Sequence, residues 1–116
     1  GRLSVGEKTF ACHSHGFSEG SLVVAAIRPE DIIPHEKGYE SEGSDQNCID
    51  VLLDEMEFLG SFWRCRLQNE RFGKSELIAD FSINAVRRLG LGTGNTMVIE
   101  LPEDRLMAFD RPEAGE

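Results

Sequence analysis

Residues that mark disulfide-bonded and membrane-spanning proteins are scarce in this sequence. Its three cysteines, Cys12, Cys48 and Cys65, are an odd number without a CxxC pair, so they form no disulfide framework and indicate a reducing compartment. We expect each thiol to fill apolar space. No apolar run approaches the roughly 20 residues of a membrane-spanning helix. The 116 residues correspond to one globular domain.

Basic residues are also few. The chain has 12 lysines and arginines against 21 aspartates and glutamates, a net charge of −9. Residues 30–57 hold ten of the acids and one base, so this segment carries the whole net charge and the remainder is neutral. The acidity centres on a polar insertion, Glu36–Asn47, which is predicted to be a loop. Because nucleic acids bind to basic stripes, we expect no nucleic-acid partner.

No motif in the sequence predicts catalysis or a resident metal. The glycine-rich segment Gly90–Thr96 lacks the lysine of a phosphate-binding loop and follows a predicted helix, so a helix-to-strand turn is favoured. His13 and His15 share one face of a predicted strand, about 7 Å apart, while Cys12 points away and no spacing indicates a third ligand. We therefore expect no metal, no cofactor and no catalytic residue in this chain.

Short apolar segments separated by turn residues predict an all-β protein. Hydrophobic and polar side chains alternate in most of these segments, and one apolar run, Leu22–Arg28, is predicted to be a buried strand. About seven short strands and one small helix are typical of a small antiparallel barrel of the OB kind. The barrel is expected within residues 1–110, with a disordered tail at 111–116. The predicted strands are Thr9–His15, Leu22–Arg28, Cys48–Leu59, Phe62–Gln68, Glu76–Phe81, Thr96–Leu101 and Leu106–Phe109.

The long strand Cys48–Leu59 carries two predicted irregularities. Its apolar residues occupy one face up to Leu53 and the opposite parity from Met56, and this shift predicts a bulge near Asp54-Glu55. Such bends occur where a small sheet curls into a barrel. A new strand begins almost at once after Gly60, so the connecting turn must be tight and Gly60 is predicted to have a positive φ.

A short helix is predicted between Ser82 and Gly90. Ser82 is a favourable N-cap, and Gly90 is a favourable helix end. Arg87 and Arg88 lie in the last turn, where their charges complement the helix dipole. The apolar residues Ile83, Val86 and Leu89 recur at helical spacing.

Pro29 restricts the backbone beside it and so sets the direction of a neighbouring charged side chain. Pro29 restricts Arg28 to an extended conformation, so the direction of the Arg28 side chain is set where its strand ends. Glu30 and Asp31 follow within reach of Arg28. We expect this segment to present a fixed arrangement of charge.

A second candidate surface combines aromatic and basic side chains. Phe62, Arg64 and Arg66 fall on one face of their strand by period two. On an OB-like barrel such a face can stack nucleic-acid bases. Two arginines beside an acidic insertion favour a solvated outer face or a protein contact instead.

These stretches together resemble a known family. The order of Ile-Arg-Pro-Glu at 27–30, Glu-Phe-Leu-Gly-Ser at 57–61, an aromatic and an arginine at Trp63-Arg64, and Leu-Pro-Glu-Asp-x-Leu at 101–106 resembles the transport-associated OB (TOBE) domain of bacterial ABC-importer ATPase subunits. The resemblance covers roughly Thr9 to Phe109. The acidic insertion is longer than the family pattern. An OB-like barrel with one short helix is also what the resemblance implies.

The resemblance implies a function as well. It implies an accessory, regulatory domain that follows an ATP-binding domain, so the chain is expected to be a piece of a longer protein. ATP and Mg belong to that parent, and the family's catalytic residues have no counterpart here. The implied partners are the chain's own nucleotide-binding domain, a second copy in a homodimer and, in some members, a small anion or a regulator protein. Membrane permease subunits are implied as partners through the parent protein. The implied location is cytoplasmic, peripheral to the inner membrane.

Eight positions carry the family pattern and form the expected interface. We call them the signature residues: Arg28, Pro29, Glu30, Asp31, Phe58, Gly60, Ser61 and Arg64. Two alternative functions stay open at this point. A free-standing protein that binds small oxyanions is the first, and a nucleic-acid-binding OB domain, disfavoured by charge, is the second. The transported substrate is not indicated by these residues.

Overall fold

The computed structural model describes residues 2–5, 8–12, 23–39, 47–69 and 76–110. Within these ranges the chain forms nine strands, one α-helix and a 3-10 turn at Pro29–Asp31. His13 and His15, for which no metal was predicted, and the predicted disordered tail at 111–116 lie outside the described residues. The elements are β1 Arg2–Val5, β2 Lys8–Ala11, β3 Val23–Ala26, β4 Ile33–His35, β5 Cys48–Phe58, β6 Phe62–Gln68, β7 Leu77–Ser82, α1 Ile83–Leu89, β8 Thr96–Glu100 and β9 Met107–Asp110.

A curled, five-stranded antiparallel sheet organises the fold. Its strand order is β4-β8-β5-β6-β7, and two separate antiparallel pairs, β1-β2 and β3-β9, complete the described strands. The N-terminal half of β5 pairs with β8 and its C-terminal half with β6. One long strand thus serves two neighbours and curls the sheet into a half-barrel. The predicted all-β, OB-like fold with one short helix is confirmed.

The predicted bulge in β5 is present. Leu53 pairs with Leu67 and Glu55 with Arg66, which leaves Asp54 as an extra residue between them. Before the bulge the inward residues end at Leu53, which is fully buried, and after it Met56 packs against the core. The bulge therefore keeps apolar side chains on the core side while the strand bends.

Side chains from both halves of the sheet meet in one hydrophobic core. Its members come from the strand faces that the period-two pattern predicted, joined by residues of the connections, and the described residues contain no buried charged or polar side chain. The core cluster comprises Phe10, Cys12, Ile32, Ile49, Val51, Leu53, Cys65, Leu67, Ala79, Phe81, Met97, Ile99, Leu101 and Leu106. Burial of this apolar area is the main stabilising contribution to the fold.

Three strands depart from the sequence prediction. The run Leu22–Arg28 was expected to be buried, but Ala25 and Ala26 are exposed, because β3 pairs only with β9 in a two-stranded sheet. β1 and β4 were not predicted. β4 contains Pro34. Proline lacks the N–H of a central strand, yet β4 lies at the sheet edge, where that loss is tolerated.

Both ends of α1 match the prediction. Ser82 Oγ accepts a hydrogen bond from the Ala85 N–H at 3.0 Å. Gly90 has a φ of 62°, its N–H donates to the Arg87 carbonyl, and the Leu91 N–H donates to the Val86 carbonyl. These two bonds form a Schellman motif, which satisfies carbonyls at the helix end.

The described ends of the predicted acidic loop make specific contacts. At its start, Glu36–Tyr39 forms a turn, and the Tyr39 ring stacks on His35 with centroids 3.7 Å apart. At its end, Asn47 bonds to two distant segments. Asn47 Oδ1 accepts from the Ala11 N–H at 2.7 Å, while Nδ2 donates to the carbonyls of Ala11 and Leu101 at 2.6 and 2.5 Å. Residues 40–46 lie outside the described residues.

Candidate interaction surface

The two stretches that carry the family pattern are connected through one edge of the sheet. The 3-10 turn Pro29–Asp31 packs against β7, the edge strand beside β6. Arg28 has φ −71° and ψ 140°, the extended conformation predicted for a residue before proline. The Asp31 N–H donates to the Arg28 carbonyl at 2.9 Å and closes the turn. Among the described residues Arg28 forms no ion pair with Glu30 or Asp31, although both were predicted to lie within its reach.

Arg64 pairs β6 with β7, the strand on which the 3-10 turn packs. Its Nε and a terminal nitrogen donate to the two carboxylate oxygens of Asp80 at 2.9 and 3.0 Å. The hydrogen bond with Asp80 and then its charge raise the pKa of Arg64, with smaller contributions from Glu57 and Glu30. Glu57 and Asp80 are the cross-strand partners of Arg64 on either side. Glu30, in the other stretch, makes the smallest of these contributions.

A second arginine, Arg66, lies two residues further along β6 and is also close to carboxylates of its neighbours. Arg66 lies 3.5 Å from Glu55 and 3.9 Å from Glu76. The Arg64 guanidinium also lies 5.8 Å from the centre of the Phe62 ring. Phe62, Arg64 and Arg66 therefore share a face, as predicted, but both guanidinium groups are engaged by carboxylates of the same sheet.

The β5–β6 hairpin ends in a tight turn at Gly60-Ser61. The Leu59 N–H donates to the Phe62 carbonyl at 2.9 Å, and Gly60 has a φ of 94°, as predicted. No described non-glycine residue has a positive φ, so Ser61 has a negative φ. Glycine at the first central position with a negative φ at the second is the pattern of a type II′ turn.

The tip of this hairpin is apolar and exposed. Phe58 and Leu59 are 49% and 40% exposed. Phe58 pairs with Trp63 across the strands, with ring centroids 5.0 Å apart. The tip thus holds three of the signature residues, Phe58, Gly60 and Ser61, at the end of the strands that carry Arg64.

Cys12 and Cys65 are buried in the core. Burial raises the pKa of the Cys65 thiol to about 11 and also raises that of Cys12, which suppresses the reactive thiolate.

In the glycine-rich segment, the Gly94 N–H donates to the Leu53 carbonyl, and the Leu53 N–H donates to the Asn95 carbonyl. The segment is therefore the predicted helix-to-strand turn, and it continues the pairing of β5 with β8.

The part of the chain that the structure describes contains a surface depression beside α1. A depression of about 460 Å³ lies between Glu36-Lys37 and the connection from α1 to β8. Its lining combines one carboxylate and one ammonium group with an asparagine, a threonine, leucines, a methionine and glycines. No group of three or more His, Cys, Asp or Glu side chains in the described ranges is arranged to hold a metal ion. The helix found in these ranges is too short to span a membrane.

Sequence reasoning missed the acidic partners of Arg64. Period two placed Arg64 on the outer face, and the same rule places Asp80 on the outer face of β7. The register that brings the two together depends on the lengths of the connections. The approach of Glu30 depends on the packing of the 3-10 turn, for which the sequence carries no local signal.

Comparison of the fold defines the class of protein. The cytoplasmic molybdate-binding protein ModG, solved with molybdate bound, has a TM-score of 0.70 and 18% identity to this chain, covering 82% of this chain and 66% of ModG. At that identity the likeness concerns the fold, which is of the OB-like, TOBE type. No family model matches the sequence.

A curated relative gives the particular family. The Fe(3+) ions import ATP-binding protein FbpC 2 of Rhizobium meliloti (strain 1021) is 44% identical over 114 residues, which is 93% of this chain. The chain belongs to the TOBE domains of ABC-importer ATP-binding subunits. It spans only 29% of the length of that relative.

Proposed function

We propose that this chain is an accessory domain of the ATP-binding subunit of an ABC importer, and that it acts through protein contacts rather than catalysis. The observation that supports this proposal is the 44% identity to an ATP-binding import protein, which extends over 93% of this chain but only 29% of that relative. The domain then sits beside the ATP- and Mg-binding parts of its parent. The parent belongs at the cytoplasmic side of the inner membrane, with permease subunits as partners.

The signature residues are proposed to form the contact surface of this domain. Support comes from their arrangement: the 3-10 turn, Arg64 and the hairpin tip are linked through β6 and β7. The bidentate Arg64–Asp80 pair and the hydrogen-bonded turn at Gly60 hold this surface in one geometry. A surface fixed before binding loses less conformational entropy when it forms a contact. The proposed contacts are to the parent's own nucleotide-binding domain and to a second copy.

Removal of this chain from its parent subunit tests the function. ATP hydrolysis, transport by the reconstituted importer and oligomeric state by light scattering are measured with and without residues 1–116. We expect the truncated subunit to retain nucleotide binding and to lose regulated transport or stable dimerisation. We expect the isolated chain to hydrolyse no ATP. Unchanged transport and dimerisation after truncation, or turnover by the isolated chain that is lost on mutation of Gly92 or Gly94, would contradict the proposal.

Binding of a small oxyanion is the second candidate function. The fold likeness to a molybdate-binding protein favours it. Two properties of the chain oppose it: the net charge is −9, and Arg64 and Arg66 are already engaged by carboxylates. Calorimetric titration of the isolated chain with molybdate, sulfate and phosphate decides between the two. Saturable micromolar binding of one anion would favour this second function.

A further inference from the structure

The depression beside α1 is bounded by three segments whose backbones are fixed by hydrogen bonds. The first is the turn after β4, where the Tyr39 N–H donates to the Glu36 carbonyl at 3.1 Å. The Tyr39 ring also stacks on His35, which holds this turn against the edge of the sheet. The second segment is the end of α1, where the Leu91 N–H donates to the Val86 carbonyl at 3.0 Å.

The third segment leads into β8. The Gly94 N–H donates to the Leu53 carbonyl at 2.8 Å, and the Asn95 N–H donates to the Gly92 carbonyl at 3.1 Å. The depression is therefore formed before any ligand arrives. Its volume of about 460 Å³ falls within the roughly 300–1,000 Å³ of small-molecule sites.

Apolar side chains make up one part of the lining. Leu89 and Leu91 are half-buried and both line the depression. Met97 lines it as well and is only 1% exposed, so it lies at the base. These three side chains can cover the aliphatic part of a ligand, and removal of that surface from water favours binding.

Two opposite charges make up the other part of the lining. Glu36 and Lys37 are consecutive, exposed and both face the depression. Among the residues that the structure describes, neither of them forms an ion pair. A ligand with a single charge is attracted by one of these groups and repelled by the other, so it gains little. A ligand that carries both charges gains from both.

We propose that this depression binds a small zwitterion with an aliphatic side chain, which is the chemistry of a free α-amino acid such as leucine. Lys37 binds the carboxylate and Glu36 binds the ammonium group. The lining leucines and Met97 cover the side chain. None of the signature residues lines this depression, so the site is separate from the proposed contact surface and does not depend on the proposed function.

Four related ligands separate these contributions when each is titrated into the 116-residue chain and followed by the NMR signals of its amides. Leucine carries both charges and the side chain, glycine lacks the side chain, N-acetyl-leucine lacks the ammonium group and leucinamide lacks the carboxylate. We expect leucine to shift the amides of residues 89–91 and 94–97 saturably, with a dissociation constant on the order of 1 mM. Glycine should bind about tenfold more weakly or less, and the two singly charged ligands about two- to fivefold more weakly.

Two variants assign the two ends of the ligand. Lys37→Gln should weaken leucine binding about two- to fivefold, yet should bind leucinamide at least as well as wild type does. Glu36→Gln should weaken leucine binding to a similar extent, yet should bind N-acetyl-leucine at least as well as wild type does. Arg105→Gln and Glu103→Gln carry the same charge changes in the exposed turn after β8, outside the depression, and should leave leucine binding unchanged. Thermal melts of all variants verify folding.

Each contrary outcome identifies the step that is wrong. The absence of saturable shifts with leucine would overturn the site itself. Equal affinity for leucine and N-acetyl-leucine would show that a carboxylate alone is recognised, as at the C-terminus of a peptide, and would overturn the zwitterion. Equal affinity for leucine and glycine would show that the apolar lining does not contribute, which would also overturn the proposal. Weakening by the two control variants as strong as that by Lys37→Gln and Glu36→Gln would show a general effect of charge and no site. None of these outcomes bears on the proposed function, because no component of the importer takes part in the experiment.

Discussion

Asn47 is expected to be the polar residue on which the stability of this domain depends most. Its side chain makes three hydrogen bonds, to the N–H and carbonyl of Ala11 and to the carbonyl of Leu101. The Leu101 N–H also donates to the Asn47 carbonyl at 2.9 Å. The residue thereby links the end of β2 to the segment after β8, which are far apart in sequence.

Asn47→Ala removes all three side-chain bonds. At about 1 kcal/mol for each bond, with a further cost where a partner is left buried and unpaired, the loss is about 3 kcal/mol. That is a large part of the roughly 5–15 kcal/mol that holds a small domain folded. At about 4–8 °C per kcal/mol for a domain of about 60–100 residues, the melting temperature should fall by more than about 10 °C.

Asn47→Asp has the same shape and should be at least as harmful at neutral pH. One oxygen can still accept from the Ala11 N–H, but the other then faces the carbonyls of Ala11 and Leu101. Facing acceptors favours the protonated carboxyl, so its pKa is raised in the folded state. The penalty is therefore greatest above the folded-state pKa and shrinks as the pH falls through it.

Urea unfolding followed by fluorescence of the single tryptophan measures these effects. Trp63 packs against the core and reports its loss. Asn84→Ala, on the exposed side of α1, is the control and should change the free energy of unfolding by less than about 0.5 kcal/mol. If Asn47→Ala and this control unfold at the same urea concentration, the link between β2 and Leu101 does not stabilise the fold.

Three further predictions concern the hairpin turn, the acidic insertion and nucleic acid. No non-neighbouring atom lies within 4 Å of a Cβ added at Gly60, so a substitution there acts through backbone strain. Gly60→Ala and Gly60→Val should lower the free energy of unfolding by roughly 1–3 kcal/mol, valine more than alanine. Melting temperatures of both variants equal to that of wild type would refute this prediction. Replacement of residues 40–46 by a Gly/Ser linker should preserve cooperative melting, whereas a replacement that also removes Asn47 should not. Equal melting temperatures of these two variants would show that the fold does not need Asn47. Fluorescence polarisation should show no single-stranded DNA binding at physiological salt, because the chain is acidic; micromolar affinity with a steep salt dependence would contradict it.

The features that sequence reasoning predicted correctly are those with a local cause. The change of apolar parity after Leu53 marked the bulge, because only an inserted residue keeps both halves of a strand facing one core. Gly60 and Gly90 marked a tight turn and a helix end, because each takes a positive φ. Ser82 marked the start of α1 by its capping bond.

The features that could not be predicted arise from contacts between distant segments. Asn47 looked like part of a solvated loop, and its bonds to Ala11 and Leu101 form only once β2 and β8 are assembled. The exposure of Ala25 follows from the pairing of β3 with β9, which the apolar run itself does not specify. For the candidate surface, the outward direction of Arg64 was predictable, whereas its bidentate pair with Asp80 was not.

Sequencing of the transcript upstream of the codon for Gly1 tests the central claim most directly. If the chain is an accessory domain of an importer ATPase, the reading frame continues upstream into an ATP-binding domain that contains a Gly-x-x-x-x-Gly-Lys-Ser/Thr loop. A start codon directly before Gly1, preceded by an in-frame stop codon, would contradict the claim and would favour the free-standing oxyanion-binding protein.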